Sequence, residues 1–309
     1  MSLHDTASAE NDTKVKEMDV PVRLAWGNVI TVSLLHLAAF YGFYLLLSGR
    51  IYFYTFLFFF PPYWLAGLGI TAGVHRLWSH RSYSASFGLR LFLMICNCSA
   101  MQTHIYEWSR DHRTHHKFSD TNADPYNARR GFFFSHMGWV VCRKHPDVIK
   151  KGRTIDMSDL DADPVVVFQK KYYILLAPFF GIILPTFIPL LWNEYFSHAF
   201  FITMLRYVSS LHQTWLVNSA AHMYGNKPYD KNINPTENSL VSWLTIGEGF
   251  HNYHHCFPKD YRASEYGFTV LSFTTFFIDC CAWLGLASNC KPTPRDMIER
   301  RRMRTGHHG

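Results

Sequence analysis

Eight histidines stand in three compact clusters: His75 and His80 in HRLWSH, His112, His115 and His116 in HRTHH, and His251, His254 and His255 in HNYHH. Imidazole is the commonest neutral metal ligand and binds through either ring nitrogen. Eight imidazoles exceed the four donors of one zinc, so the number points to two metal ions. Positions i, i+3 and i+4 share a helix face, so each His-x-x-His-His triplet is expected to converge on one point. His75 and His80 are five apart, about 140° around a regular helix. They suit two neighbouring metals, or a helix that ends between them. His222 lies four residues after Asn218 and shares a face with it.

Imidazole suits Zn, Cu, Fe or Ni. Soluble di-iron bundles use Glu and Glu-x-x-His ligands, and no such pair lies within these clusters. An all-nitrogen site carries less ligand charge and leaves its metals more electrophilic. Glu107, Asp111 and Glu248 stand beside the clusters, as carboxylates that orient imidazoles or as solvated charges. His4, His36, His104, His136, His145, His198, His212, His307 and His308 are isolated, and a surface or core role is expected for each.

The elements that must position these groups are apolar. A spanning helix needs roughly 20 mostly apolar residues. Residues 28–48, 51–73, 172–192 and 198–221 qualify, the second despite Pro61 and Pro62. Gly49 and Arg50 separate the first pair; Asn193, Glu194 and Tyr195 lie between the second. Residues 88–101 and 266–287 are expected to lie at the interface or against the spans. The fold class is therefore an all-α integral membrane protein: four transmembrane helices and a cytosolic helical domain holding the histidine-rich site.

Basic residues mark the cytosolic side. The two short links hold only Arg50, whereas Arg76, Arg81, Lys170, Lys171, Arg300, Arg301, Arg302 and Arg304 fall on the other side. Both termini and segments 74–171 and 222–309 should be cytosolic, which puts all three clusters on one membrane face. Three parts are expected: a cytosolic segment 1–27, a main domain 28–287 with catalytic parts 74–171 and 222–287, and a basic tail 288–309.

Composition narrows the partners. The seven cysteines show no C-x-x-C pairing, which fits a reducing compartment, and Cys280 and Cys281 read as packing residues. The first 25 residues are polar, unlike a secretory signal. A net charge of +7 favours an anionic partner. No nucleic-acid fold signature surrounds the basic residues, which leaves acidic headgroups, a phosphorylated substrate or an acidic protein.

Four strings carry a family resemblance: TAGVHRLWSHRSY, EWSRDHRTHHKFSDTNADPYNARRGFFFSHMGW, TWLVNSAAHMYG and GEGFHNYHHCFP. From about residue 25 to residue 287 the chain resembles the membrane acyl-CoA desaturases of the stearoyl-CoA Δ9 type. The resemblance implies a di-iron centre with nine histidine ligands: His75, His80, His112, His115, His116, His222, His251, His254 and His255. It also implies Asn218 acting through a water, and O2-dependent removal of two hydrogens from a saturated fatty acyl-CoA, by family default at Δ9. The setting implied is the endoplasmic reticulum membrane. The electrons would come from cytochrome b5 and its NADH reductase, as separate proteins because this chain carries no H-P-G-G haem motif. Basic cytosolic residues could steer that acidic donor, and the Arg-rich tail could join them, contact lipid or be disordered.

The family binds its substrate in a narrow kinked tunnel. Gln102, Trp108 and Thr214 match residues at the bend, although Trp108 and Thr214 equally suit ordinary packing. Arg110, Asp111, Arg143 and Lys144 match residues that hold CoA, with Asn28 a weaker candidate; each charge equally suits solvent or lipid. Thr103 departs from the family's usual Asn. Tyr63, three turns before His75, is a chain-length candidate that would favour chains shorter than stearoyl, or a lipid-packed aromatic. Two alternatives remain: a fatty acyl hydroxylase or a desaturase of other regiochemistry at the same centre, and a zinc-dependent membrane hydrolase or receptor.

Overall fold

The computed structural model describes residues 21–267 and 272–307. The expectations for His4 and His308, and part of the 266–287 stretch, lie outside these residues.

Helix α1, Trp26–Leu47, is apolar all round and buries only Ala39, Gly42 and Leu45. A helix of that kind faces lipid on most sides. Gly42 is required where α1 meets its neighbour: a methyl group there would run into the Phe201 carbonyl. Small residues allow such backbone approach between membrane helices. Helix α2, Phe53–Leu68, continues without a break into a π-helical segment, Gly69–Ser79. Next come strand β1, Ser84–Ala85, and helix α3, Phe87–Ala100, whose first turn is capped by Ser86 accepting from the Leu89 amide at 3.3 Å. Helix α4, Ile105–Phe118, carries HRTHH; His104 caps its start, and Gln169 accepts from the Ile105 amide at 2.8 Å.

Helix α5, Pro164–Pro178, leads through a π turn at Phe179–Ile183 into a short helix and a 3-10 turn that ends at Trp192. Helix α6, Phe196–Asn218, then runs back along α1. A break at Ser219 separates it from helix α7, Ala220–Met223, which carries His222. Helix α8, His251–Cys256, carries HNYHH. Helix α9, Phe273–Trp283, is followed by strand β2, Ala287–Ser288, which pairs antiparallel with β1. The last helix, α10, is Arg295–Thr305. The main core gathers Trp78, Leu93, Met94, Ile105, Leu160 and Ile278 between the apolar helices and the histidine-bearing ones.

Among the described residues three stretches are long and apolar enough to cross a membrane: Trp26–Leu47, Phe53–Ser79 and Pro164–Trp192. The second runs past its expected end at 73 because the helix continues in π form. The third starts at Pro164, ahead of the expected 172, because Asp163 caps the helix there and the helix runs through Gln169, Lys170 and Lys171 before the apolar run. α6 has the length but not the apolarity. It buries Arg206, Gln213 and several hydroxyl residues against its neighbours, where lipid does not select for hydrophobicity.

Two charge expectations are corrected. Arg76 is not a flanking surface charge: it is 1% exposed, with Glu248 at 2.7 Å and the Tyr261 carbonyl at 2.8 Å. The Arg-rich tail is folded. Arg301 pairs with Asp230 at 2.5 Å, Arg302 pairs with Glu265, and Ile298 is buried with Tyr229 and Tyr253.

Candidate metal centre

The nine histidines form two groups in which every donor nitrogen lies within 4.8 Å of the others. The first comprises His75, His80, His112, His116 and His254; the second comprises His115, His222, His251 and His255. Neither His-x-x-His-His triplet converges on one point. His112 and His116, four apart, share a group, and so do His251 and His255. His115 and His254 are each turned about 100° from the residue after them and cross to the opposite group. The His75–His80 expectation is corrected as well. The π-helical segment bonds i to i+5, so the His80 amide donates to the His75 carbonyl at 3.1 Å and both rings serve one group.

The rings meet through Nε2. His75 and His254 are 2.9 Å apart, His80 and His112 2.9 Å, and His254 and His116 3.0 Å. In the second group His251 lies 3.1 Å from both His222 and His255, and His115 lies 3.3 Å from His255. Carboxylates behind two rings fix the tautomer: Glu248 is 2.9 Å from His75 Nδ1, and Asp124 is 2.8 Å from His115 Nδ1. With the proton held at Nδ1, the Nε2 lone pair faces inward. A neutral ring has one proton to share, yet His254 Nε2 faces two partners and so does His251. Converging lone pairs of this kind fit a pair of cations.

Burial, then repulsion among the rings, pushes His80, His112, His116, His251, His254 and His255 well below the ordinary imidazole pKa, into the form that binds metal. Burial would raise Glu248, but Arg76 and His75 outweigh it and bring its pKa down to about 2. The Glu248 carboxylate is thus a fixed negative charge behind the first group.

A cleft of about 420 Å³ leads to the histidines, lined by Asn28, Gln102, Trp108, Asp111, Lys144, Thr214 and Asn218 among others. A narrower space of about 40 Å³ continues it. Trp108, Thr214 and Asn218 line both; the inner one adds His75, His112, His115, His251 and Gly67. Trp108 stacks on His112 with centroids 4.9 Å apart. Asn28 is tied across the mouth, donating to the Val140 carbonyl at 2.8 Å.

Four of the expected CoA residues lie near this mouth. Lys144 pairs with Asp111 at 2.5 Å and Glu107 at 3.4 Å, while Arg110 binds the same two carboxylates at 3.1 and 3.2 Å. Glu107 and Asp111 thus belong to the charged mouth and bind no clustered histidine. Arg143 lines a small recess beside it with Lys144 and Arg130. Thr103 also faces the cleft, at φ +72°. Tyr63 is half-buried, stacks on Phe59 at 5.9 Å and does not line either cavity.

Sequence reasoning missed Asp124 and also Asp120, which lies 3.8 Å from His222 Nδ1. Both stand in the turn after HRTHH, and their closeness to that cluster was the available signal. It also read His36, His136 and His212 as isolated. They form a string: His212 lies 3.1 Å from His36 and 2.9 Å from His136, which reaches Ser219 at 2.9 Å.

The profile described as fatty acid desaturase matches residues 54–263. The chain is 54% identical over 307 residues to the acyl-CoA Delta-9 desaturase of Acheta domesticus, covering 98% of this chain and 85% of that protein. It is 56% identical over 298 residues to the acyl-CoA Delta12-desaturase of the same organism, covering 95% and 83%. It is also 56% identical over 299 residues to the stearoyl-CoA desaturase of Homo sapiens, covering 95% and 82%.

Proposed function

The chain belongs to the fatty acid desaturase family, and on that premise we propose that it inserts a cis double bond at Δ9 of a saturated fatty acyl-CoA. It is an acyl-CoA desaturase and hence an oxidoreductase. The observation that carries the proposal is the continuity of the cleft, from Lys144 and Asn28 at its mouth, past Trp108 and Thr214, to both histidine groups. Each turnover consumes O2, two electrons and two protons, and yields the alkene and two waters.

Two iron ions are proposed, one in each histidine group, with Asn218 contributing through a water at one of them. When bound, they would supply the oxidising power that an unactivated methylene demands and no side chain has. The five donors of the first group exceed the four of a zinc site, which favours iron.

The remaining work falls to the chain. Glu248 and Asp124 hold His75 and His115 in the binding tautomer. Arg110, Arg143 and Lys144 offer cations to the CoA phosphates, while Asp111 and Asn28 offer hydrogen bonds. Gln102, Trp108 and Thr214 bend the acyl chain beside the histidines and exclude water. Tyr63 lines neither cavity, so a limit on chain length at Tyr63 would act only on a chain that runs beyond the inner space.

The enzyme is proposed to sit in the endoplasmic reticulum membrane with 28–287 as the desaturase unit. Parts 74–171 and 222–287, and both termini, face the cytosol. α6 is the fourth span: its 23 residues reach about 34 Å, enough for a hydrocarbon core of about 30 Å. Electrons come from cytochrome b5 and its NADH reductase.

Expression in a desaturase-deficient yeast tests the proposal. Growth without added unsaturated fatty acid is expected, with the double bond at Δ9 by mass spectrometry. A hydroxylated product, or a bond only at Δ12, would overturn it.

A further inference from the structure

Arg206 is a cation deep within α6, 1% exposed. Charges inside a membrane protein are costly, and they persist where they serve a purpose. Among the described residues no carboxylate lies within ion-pair distance of it. Its Nη1 donates to the Ser99 carbonyl at 3.2 Å and its Nη2 to the Gly181 carbonyl at 2.5 Å. Its Nε is buried without a partner.

Both acceptors are carbonyls that their own helices leave under-used. Ser99 is the penultimate residue of α3, among the last four carbonyls that lack a partner in the helix, and a cation is favoured there. Gly181 lies in the π turn Phe179–Ile183, where the regular i to i+4 ladder is interrupted. One guanidinium therefore joins α6, the end of α3 and the third apolar stretch.

Immediately after α3 the chain turns through Met101, Gln102 and Thr103, and all three residues line the cleft. Met101 has φ +53° and Thr103 φ +72°, left-handed conformations that are strained for such side chains. The turn needs holding from outside. α6 holds it at two further points: the Tyr207 hydroxyl donates to the Met101 carbonyl at 3.2 Å, and Gln102 Nε2 donates to the Ser210 carbonyl at 3.3 Å. The π turn closes the other side, because a methyl group at Gly181 would collide with the Met101 side chain.

We propose that Arg206 is a positioning residue which, by joining Ser99 to Gly181, fixes the Met101–Gln102–Thr103 turn and so sets which methylenes lie beside the histidines. The proposal rests on the desaturase function stated above. It makes bond position depend on a residue that lines neither the cleft nor its inner extension.

Arg206→Lys keeps the charge, but one ammonium does not reproduce the planar fork that reaches both carbonyls. Arg206→Met removes both bonds. The full-length enzyme and both variants are purified, and three quantities are read. Peptides covering 99–104 should exchange amide hydrogens faster in the variants, while those covering 112–116 stay protected. Metal content should be unchanged. Turnover should fall on the order of 10- to 100-fold with KM for acyl-CoA little altered, and new double-bond positions should appear beside the wild-type one.

Wild-type exchange together with a single, unshifted bond position in both variants would overturn the proposal. So would loss of metal or of folded protein in both, since Arg206 would then hold the whole fold. If the wild type itself yields no alkene, the desaturase function fails, while the exchange comparison still decides whether Arg206 holds the turn.

Discussion

His75 and His80 lie one above the other although they are five positions apart in the sequence, with ring centroids 4.9 Å apart. The π-helical hydrogen bond between them makes this possible, and it commits both rings to the group that also holds His112, His116 and His254.

Metal loss should therefore track the spatial groups and ignore the sequence clusters. His80→Ala and His112→Ala should each cost the same ion, and the double variant should lose no more than either single one. His80→Ala combined with His255→Ala should leave about none of two. Elemental analysis of purified protein reads this directly. Equal losses from His80→Ala/His112→Ala and His80→Ala/His255→Ala would show that the groups are not independent.

Glu248 serves two partners at once, His75 Nδ1 and Arg76. Glu248→Gln keeps the shape but leaves the Arg76 cation buried and unpaired. Breaking a buried pair costs about 3–5 kcal/mol, and losing the orienting carboxylate weakens metal binding roughly 10- to 100-fold. Thermal unfolding in detergent and metal titration should both register the change. Arg76→Met in the same background should recover most of the stability and none of the affinity.

Gly67 lines the inner cavity, and a Cβ there would lie 2.9 Å from the Ile246 side chain. Gly67→Leu should shorten the space available to the acyl chain. Each methylene excluded changes the preference between substrates roughly 10- to 200-fold. Tyr63→Ala should move products towards longer chains. Competition assays with saturated acyl-CoAs of different lengths check both, and an unchanged profile for Tyr63→Ala would remove Tyr63 as the limit.

Thr103 occupies a left-handed conformation in which Asn is tolerated far better than a β-branched residue. Thr103→Asn should relieve about 1 kcal/mol of strain. A higher unfolding temperature with unaltered bond position is expected; a lower one would show that the Thr103 side chain is held by its surroundings.

Much of this is legible in the residues. Hydropathy reads four spans, three of which match stretches long and apolar enough to cross a membrane, and the histidine clusters with the family resemblance of the strings around them lead to the nine convergent rings, including His222. The features that escaped did so for physical reasons. On a 3.6-residue period His75 and His80 diverge, whereas the chain adopts the longer π-helical period there. Arg76 ends an apolar run and reads as a surface charge, because its partner Glu248 is 172 residues away. Residues 198–221 read as a span, yet α6 is less apolar than the other three stretches because protein surrounds Arg206, Gln213 and its hydroxyl residues. Asp120 and Asp124 sit in a turn, where Asp is ordinarily a local cap.

The exchange of His115 and His254 between groups also sets when each group can be completed during synthesis. Each group draws on residues before 117 and on residues after 221. A nascent chain still short of residue 254 can complete neither. The centre can therefore be completed only after residues 254 and 255 have been made, when all three long apolar stretches have already been synthesised.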